Sequence, residues 1–304
     1  MNHTSPGPLL GGRLPRELRA LLTALVSLGL LALALAAVDL QEAWRLVRQT
    51  RPGPFLLAVA LGPLQIGLSA VRWRLVSARL GTPLPLRMAG QEYALGTVLN
   101  MVLPGGIGGD ALRTWRYHRR MAVPGGAAVQ ATLIERGAGQ AVLIAITLAG
   151  LLAWPMLLPG IERPPGVLTV VIALAVAAAS LALWPSTFGE RIRCALLGRS
   201  VLLPQLLLSV VIVASYIGGF ALCALALSAA PWPAALTTIP LILLAMALPI
   251  SVGGWGLRET AAIALLPRLG WSSEAALTVS GLYGLSALFG ALIGALLLSR
   301  PAAA

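Results

Sequence analysis

The chain has 304 residues, 58% of them hydrophobic and only 11% charged. Soluble domains run near a quarter charged, so this balance, with a mean hydropathy of +0.88, excludes an ordinary globular protein and points to membrane spans. The net charge of +12 rests on 22 arginines and no lysine; they lie between apolar runs, where they set membrane topology rather than a nucleic-acid footprint.

The ten-residue alternation of a membrane barrel is absent, which leaves an all-α polytopic membrane protein. Cys194 and Cys223 follow no pairing pattern, and His3 and His118 form no cluster. No disulfide framework, metal site or cofactor is expected.

In chain order, residues 1–19 form a polar leader with Arg13, Arg16 and Arg19, followed by an apolar run from Leu21 to Val38. A retained anchor is expected over a cleaved signal, because a matching run recurs later in the chain. A second span covers Pro54 to Val71 and ends on Arg72-Trp73-Arg74, read as an interfacial edge. A broken apolar segment, 88–112, precedes a basic stretch with Arg113, Arg116, Arg119 and Arg120. Val129 to Ala153 is the next span, with Glu135 and Arg136 inside it. Val167 to Trp184 follows, then a basic loop with Arg191, Arg193 and Arg199, then Val201 to Ser228. A second broken segment, 236–266, and a last span from Ser273 to Ser299 complete the chain. Trp73, Trp115, Trp154, Trp184 and Trp232 lie near span ends and read as interfacial anchors. Gly290 with Gly294, and Ser280 with Gly284, read as helix-packing pairs.

The two broken segments share a motif. Leu103 to Arg113 reads LPGGIGGDALR, and Leu248 to Arg258 reads LPISVGGWGLR, 145 residues later. If each segment enters and returns on one side, the chain has six full spans with both termini inside. Fifteen arginines then fall inside and five outside, with Arg136 and Arg258 embedded, as the positive-inside rule favours. The same offset carries the other spans onto one another. The expected architecture is therefore one integral membrane domain over 1–304, built as an inverted repeat. The first copy spans 20–155 and the second 165–299, each with a re-entrant hairpin.

Pro104 and Pro249 are the structural breaks. Gly105, Gly106, Gly108 and Gly109 in the first copy, and Ser251, Gly253 and Gly254 in the second, permit a sharp reversal at membrane depth. Asp110 stands where a helix N-cap would. Each returning half-helix would present a positive end, and Arg113 and Arg258 would join the two ends in holding a phosphate. Embedded acid–arginine pairs recur beside both breaks: Asp110 with Arg113, Glu135 with Arg136, and Arg258 with Glu259. They hold a lipid head group or fix the fold as ion pairs. Glu92, Gly96 and Asn100 share a helix face and would line a polar path, with Glu92 near the surface. No zinc-binding, Walker A or nucleophile-elbow stretch appears, so neither hydrolysis nor ATP-driven chemistry is expected.

The run from Asn100 to Arg113, Glu135-Arg136, and LPISVGGWGLRE from Leu248 to Glu259 resemble the flippase-like lysylphosphatidylglycerol synthase transmembrane family. That family takes in the membrane region of the bacterial multiple peptide resistance factor. The resemblance implies a lipid-translocating core at Asp110, Arg113, Glu135, Arg136, Arg258 and Glu259, in a bacterial inner membrane. Family members commonly carry Asp-Arg where this chain has Glu135-Arg136. The synthase activity of bifunctional relatives resides in a separate soluble domain. Five residues after the last span leave no room for one, so lipid aminoacylation is not expected. The expected partners are membrane lipids and no nucleic acid, with a homo-oligomer and a lipid- or glycosyl-modifying enzyme as further candidates. A small-solute or ion-coupled transporter, or a non-transporting partner of such an enzyme, remain the alternative readings.

Overall fold

In lipid every backbone polar group must be satisfied within the chain, which turns apolar runs of this length into helices. A computed structural model describes residues 16–299 other than 105, 230, 231 and 249. The expectations placed on Gly105, Pro249, the leader through residue 15 and Arg300 lie outside the described residues. Among the described residues there is no strand.

The first half contains α1 (Arg16–Ala36), α2 (Leu40–Arg48), α3 (Pro52–Arg79), α4 (Leu86–Val102), α5 (Gly108–Met121) and α6 (Gly125–Leu152). After the short α7 (Trp154–Leu157) come α8 (Val167–Leu183), α9 (Thr187–Ile192), α10 (Leu202–Ala226), α11 (Thr238–Met246), α12 (Leu257–Leu265) and α13 (Ser273–Ser299). A π-helical turn, Arg193–Leu197, extends α9, and a 3-10 turn, Leu266–Leu269, closes α12.

Four helices are long and apolar enough to cross a membrane: α3, α6, α10 and α13. The count rises to six when α1 with α2, bent by 90°, and α8 with α9 and its π-helical turn, bent by 95°, are each taken as one span. The class is thus all-α and multi-pass. The expected spans sit where they were read, although α3 runs past Val71 to Arg79 and α2 replaces an expected loop.

At the centre of the molecule α3 packs against both α10 and α13, which also touch each other. Gly62 of α3 lies so close to Gly290 of α13 that a methyl group on either would overlap the other's backbone. Gly294 packs on Ile66 and Pro63 in the same seam, so the small-residue pattern serves helix packing.

Three surface readings are corrected. Trp73, read as an interfacial anchor, is buried edge-on against Tyr117 at 5.4 Å between ring centroids. Trp154 is buried too and donates its indole N–H to the Ile161 carbonyl at 2.8 Å. The basic stretch from Arg113 to Arg120, counted with the arginines between apolar runs, belongs to helix α5, which buries Arg113 and Tyr117. Trp115, Trp184 and Trp232 are exposed, as interfacial anchors require.

Candidate functional site

The first break is an antiparallel helical hairpin. Glu92 of α4 receives Arg116 at 2.6 Å and Arg120 at 2.9 Å from α5, so it is buried and paired rather than solvated near the surface. One turn on, Gly96 faces Gly109, and a methyl group at Gly109 would overlap the Gly96 carbonyl oxygen. One turn further, Asn100 closes the tip. Its Oδ1 accepts the Gly109 N–H at 2.8 Å and the Asp110 N–H at 3.3 Å. The face of α4 read as a polar path therefore zips α4 to α5.

This packing also decides what the start of α5 can bind. Gly108 is its first residue, so Asp110 lies within its first turn instead of at the cap. Asn100 already supplies an acceptor to the N–H groups read as an anion site. The turn before α5 includes Pro104 and Gly106, the latter at φ +62°.

Around Asp110 the structure assembles a charge network. Arg113 Nε donates to Asp110 Oδ1 at 2.7 Å, and its Nη2 to Glu135 Oε2 at 2.9 Å. Arg72 donates to Glu135 Oε1 through Nε at 3.1 Å and Nη2 at 2.6 Å, and to Ser209 Oγ at 3.2 Å. The Tyr93 hydroxyl adds a fourth bond to that carboxylate, at 3.2 Å. Arg136 pairs with Asp110 Oδ2, which also accepts from Asn100 Nδ2 at 3.2 Å. Arg113 lies between the Trp73 and Tyr93 rings, 4.6 and 4.4 Å from their centroids. Three guanidiniums face two carboxylates, which leaves one positive charge in excess.

Arg113, the first arginine of the basic stretch after the break, is enclosed together with Arg72 and Glu135. Arg136 is the member that is not enclosed, with its side chain 42% exposed. Its Nε is buried and has no hydrogen-bond partner among the described residues. Arg113 Nη1 is likewise buried without a partner. Arg136 sits 11 residues from the start of α6 and 16 from its end, about 17 and 24 Å along the helix. Leu133, one turn earlier on α6, is exposed, as are Val102 and Ile107 at the hairpin tip.

The second break builds a smaller, neutral cluster. Arg258 donates to Glu259 Oε1 through Nε at 3.1 Å and Nη2 at 2.6 Å, and to Ser280 Oγ at 3.1 Å. Glu259 turns its other oxygen to the Gly256 N–H at 2.7 Å, so the start of α12 is capped by its own carboxylate. The guanidinium lies 4.7 Å from the Trp255 ring and 5.6 Å from that of Tyr283. Gly284 makes room for it, since a methyl group there would overlap Nη2. From α1, Ser27 donates to the Trp255 carbonyl at 2.7 Å and accepts the Val252 N–H at 3.2 Å, which holds the turn in place. Ser251 is buried, and its Oγ has no partner among the described residues. Gly254, at φ +83°, packs on the Met246 side chain.

The two tips meet. Gly253, at φ +55°, sits so near Met101 that a Cβ would stand 2.7 Å from the Met101 carbonyl oxygen. Only a residue without a side chain fits both that conformation and that approach. The turns are thus in contact, but Arg113 and Arg258 do not converge on one ligand. Each closes on its own carboxylate, and no hydrogen bond or ion pair joins the clusters among the described residues. Arg72, Tyr93, Ser209, Ser27 and Ser280 were missed. For Ser280 a signal existed: it lies 145 positions after Glu135 and binds Arg258 as Glu135 binds Arg113.

Residues 20–294 match the family model described as the lysylphosphatidylglycerol synthase TM region. No curated protein matches the chain.

Proposed function

The chain belongs to the lysylphosphatidylglycerol synthase transmembrane-region family, and on that premise we propose that it binds and moves the head group of a phospholipid or isoprenoid-linked lipid. The observation that carries this reading is Arg136: an arginine side chain 42% exposed midway along a spanning helix, paired with Asp110 and backed by an enclosed network of excess positive charge. A charge at that depth is costly and marks a polar pathway when it is kept. In the proposed mechanism a lipid phosphate reaches Arg136 from the side of α6 and takes donors that now meet Asp110. Arg72, Arg113 and Glu135 hold the platform, and Arg258 with Glu259 braces the second tip. The activity is translocation, with no covalent step.

The threading follows the same reading: six spans, two re-entrant hairpins and an inverted repeat, in a bacterial inner membrane with both termini cytoplasmic. Helix order supports it, because adding 145 to the bounds of α1 to α6 lands on α8 to α13 in turn. Arg72 and Arg113 belong with the embedded arginines, which leaves thirteen inside against five outside; the sign of the bias is unchanged.

The test is lipid scrambling in vesicles containing the purified chain. Losing one charge-assisted hydrogen bond at the step that limits the rate costs about 1.5–3 kcal/mol, or roughly 10- to 100-fold. Arg136→Ala should slow flipping by that much, and Arg136→Lys should slow it less. If inserted, monodisperse Arg136→Ala flips every lipid tried at the parent rate, the reading is wrong.

A further inference from the structure

Helix α2 has three faces with three different neighbours. Successive residues of a helix turn by about 100°, which puts Leu40, Trp44 and Val47 within about 60° of one another. All three are exposed, at 55, 57 and 36%. A second face, with Ala43 and Leu46, turns toward the protein and packs on α13. The third carries Gln41, Glu42, Arg45, Arg48 and Gln49. Glu42 and Arg45 form an exposed ion pair, and Arg48 lies over the Trp44 ring at 5.4 Å.

Position along the bundle fixes what the apolar stripe meets. The chain bends by 90° between α1 and α2. The Asp39 N–H, at the start of α2, donates to Glu274 in the first turn of α13, at 3.3 Å. Beyond the end of α2, the Arg51 N–H donates to the Ala226 carbonyl, the last residue of α10, at 2.8 Å. Both α10 and α13 are spanning helices, so α2 lies at the level where spans end, across their direction. Leu33 and Leu35, at the end of α1 nearest the bend, are exposed as Leu40 is.

We propose that α2 lies flat in the head-group layer of the bilayer. Leu40, Trp44 and Val47 dip into the acyl boundary, and Arg45 and Arg48 reach lipid phosphates from the adjoining face. This is the arrangement of an interfacial amphipathic helix, with an apolar stripe below and basic residues at its edge. It gives Arg45 and Arg48 a role that topology alone does not. With Arg51, just beyond the helix, they make up three of the five arginines on the face that the threading places outside. Through Ser27, α1 also ties this surface helix to the turn of the second hairpin.

Spin labels on the full chain in phospholipid vesicles test the proposal. Leu40→Cys, Trp44→Cys, Val47→Cys, Gln41→Cys and Gln49→Cys are labelled in a Cys194→Ser, Cys223→Ala background. The ratio of oxygen to water-soluble nickel-chelate collisions should be roughly three-fold or more higher at 40, 44 and 47 than at 41 and 49. Equal nickel access at all five sites overturns the proposal. Protection of 40, 44 and 47 from both reagents also overturns it, in favour of a protein partner or second copy on that stripe. Unlabelled protein gives an independent reading: brominated acyl chains should quench the native chain more than Trp44→Phe, and equal quenching sinks the idea.

Discussion

Glu135 offers the sharpest test of how the core is held. Its Oε1 accepts from Arg72 twice and from Tyr93, and its Oε2 accepts from Arg113, so one carboxylate ties α6 to α3, α4 and α5. The Glu135→Gln substitution keeps the shape and removes the charge, while Arg72 loses its only carboxylate among the described residues. Leaving a buried charge unpaired costs about 3–5 kcal/mol. Arg113 is partly compensated, because Asp110 remains at 2.7 Å. The expected loss is therefore at the lower end, about 3 kcal/mol. Arg72→Met alone should cost a similar amount, since it strands charge on the Glu135 side. The double variant removes both members and should be less destabilised than the sum of the singles. A coupling of about 2 kcal/mol is expected, well above the roughly 0.5 kcal/mol scatter of independent sites. The assay is a double-mutant cycle on denaturant unfolding of the detergent-purified chain. Additive single effects would refute the view that this pair joins α3 to α6.

Two further outcomes follow from close packing. Gly109→Ala should force α4 and α5 apart and strongly lower the yield of folded protein. Gly137→Ala, in open space on α6, should be neutral or stabilise by up to about 1 kcal/mol; thermal stability of the two purified variants compares them directly. At the second cluster, Gly284→Ala should push the Arg258 guanidinium off Glu259, and unfolding measurements should show less effect for Gly284→Ala in an Arg258→Met background than in the parent. Equal effects in both backgrounds would mean that Gly284 serves some other contact.

The spans, the two breaks and two of the three acid–arginine pairs were legible because each depends on a short stretch. An apolar run long enough to cross must be helical, and Pro with paired glycines interrupts it whatever surrounds it. Arg258 pairs with Glu259, and Asp110 with Arg113 three residues on along one helix face. Glu135 and Arg136, read as a third pair, do not bind each other: Glu135 turns to Arg72 and Arg113, and Arg136 to Asp110. What could not be read was which way each helix faces. Lipid tails and protein interior are equally apolar, so a spanning helix carries no hydrophobic stripe that points inward. That rotation decides that Trp73 and Trp154 are buried and that Arg72 finds Glu135 sixty-three positions away. It also buries Arg113, which the chain shows only as the head of a basic stretch, and leaves Arg136, read as embedded, partly exposed. The half-helix ends illustrate the same division. Pro and Gly made them, but whether their N–H groups are free depends on Asn100 and Glu259 turning in to occupy them. Local composition determined where the chain breaks; packing between helices without an amphipathic signal determined what the breaks present.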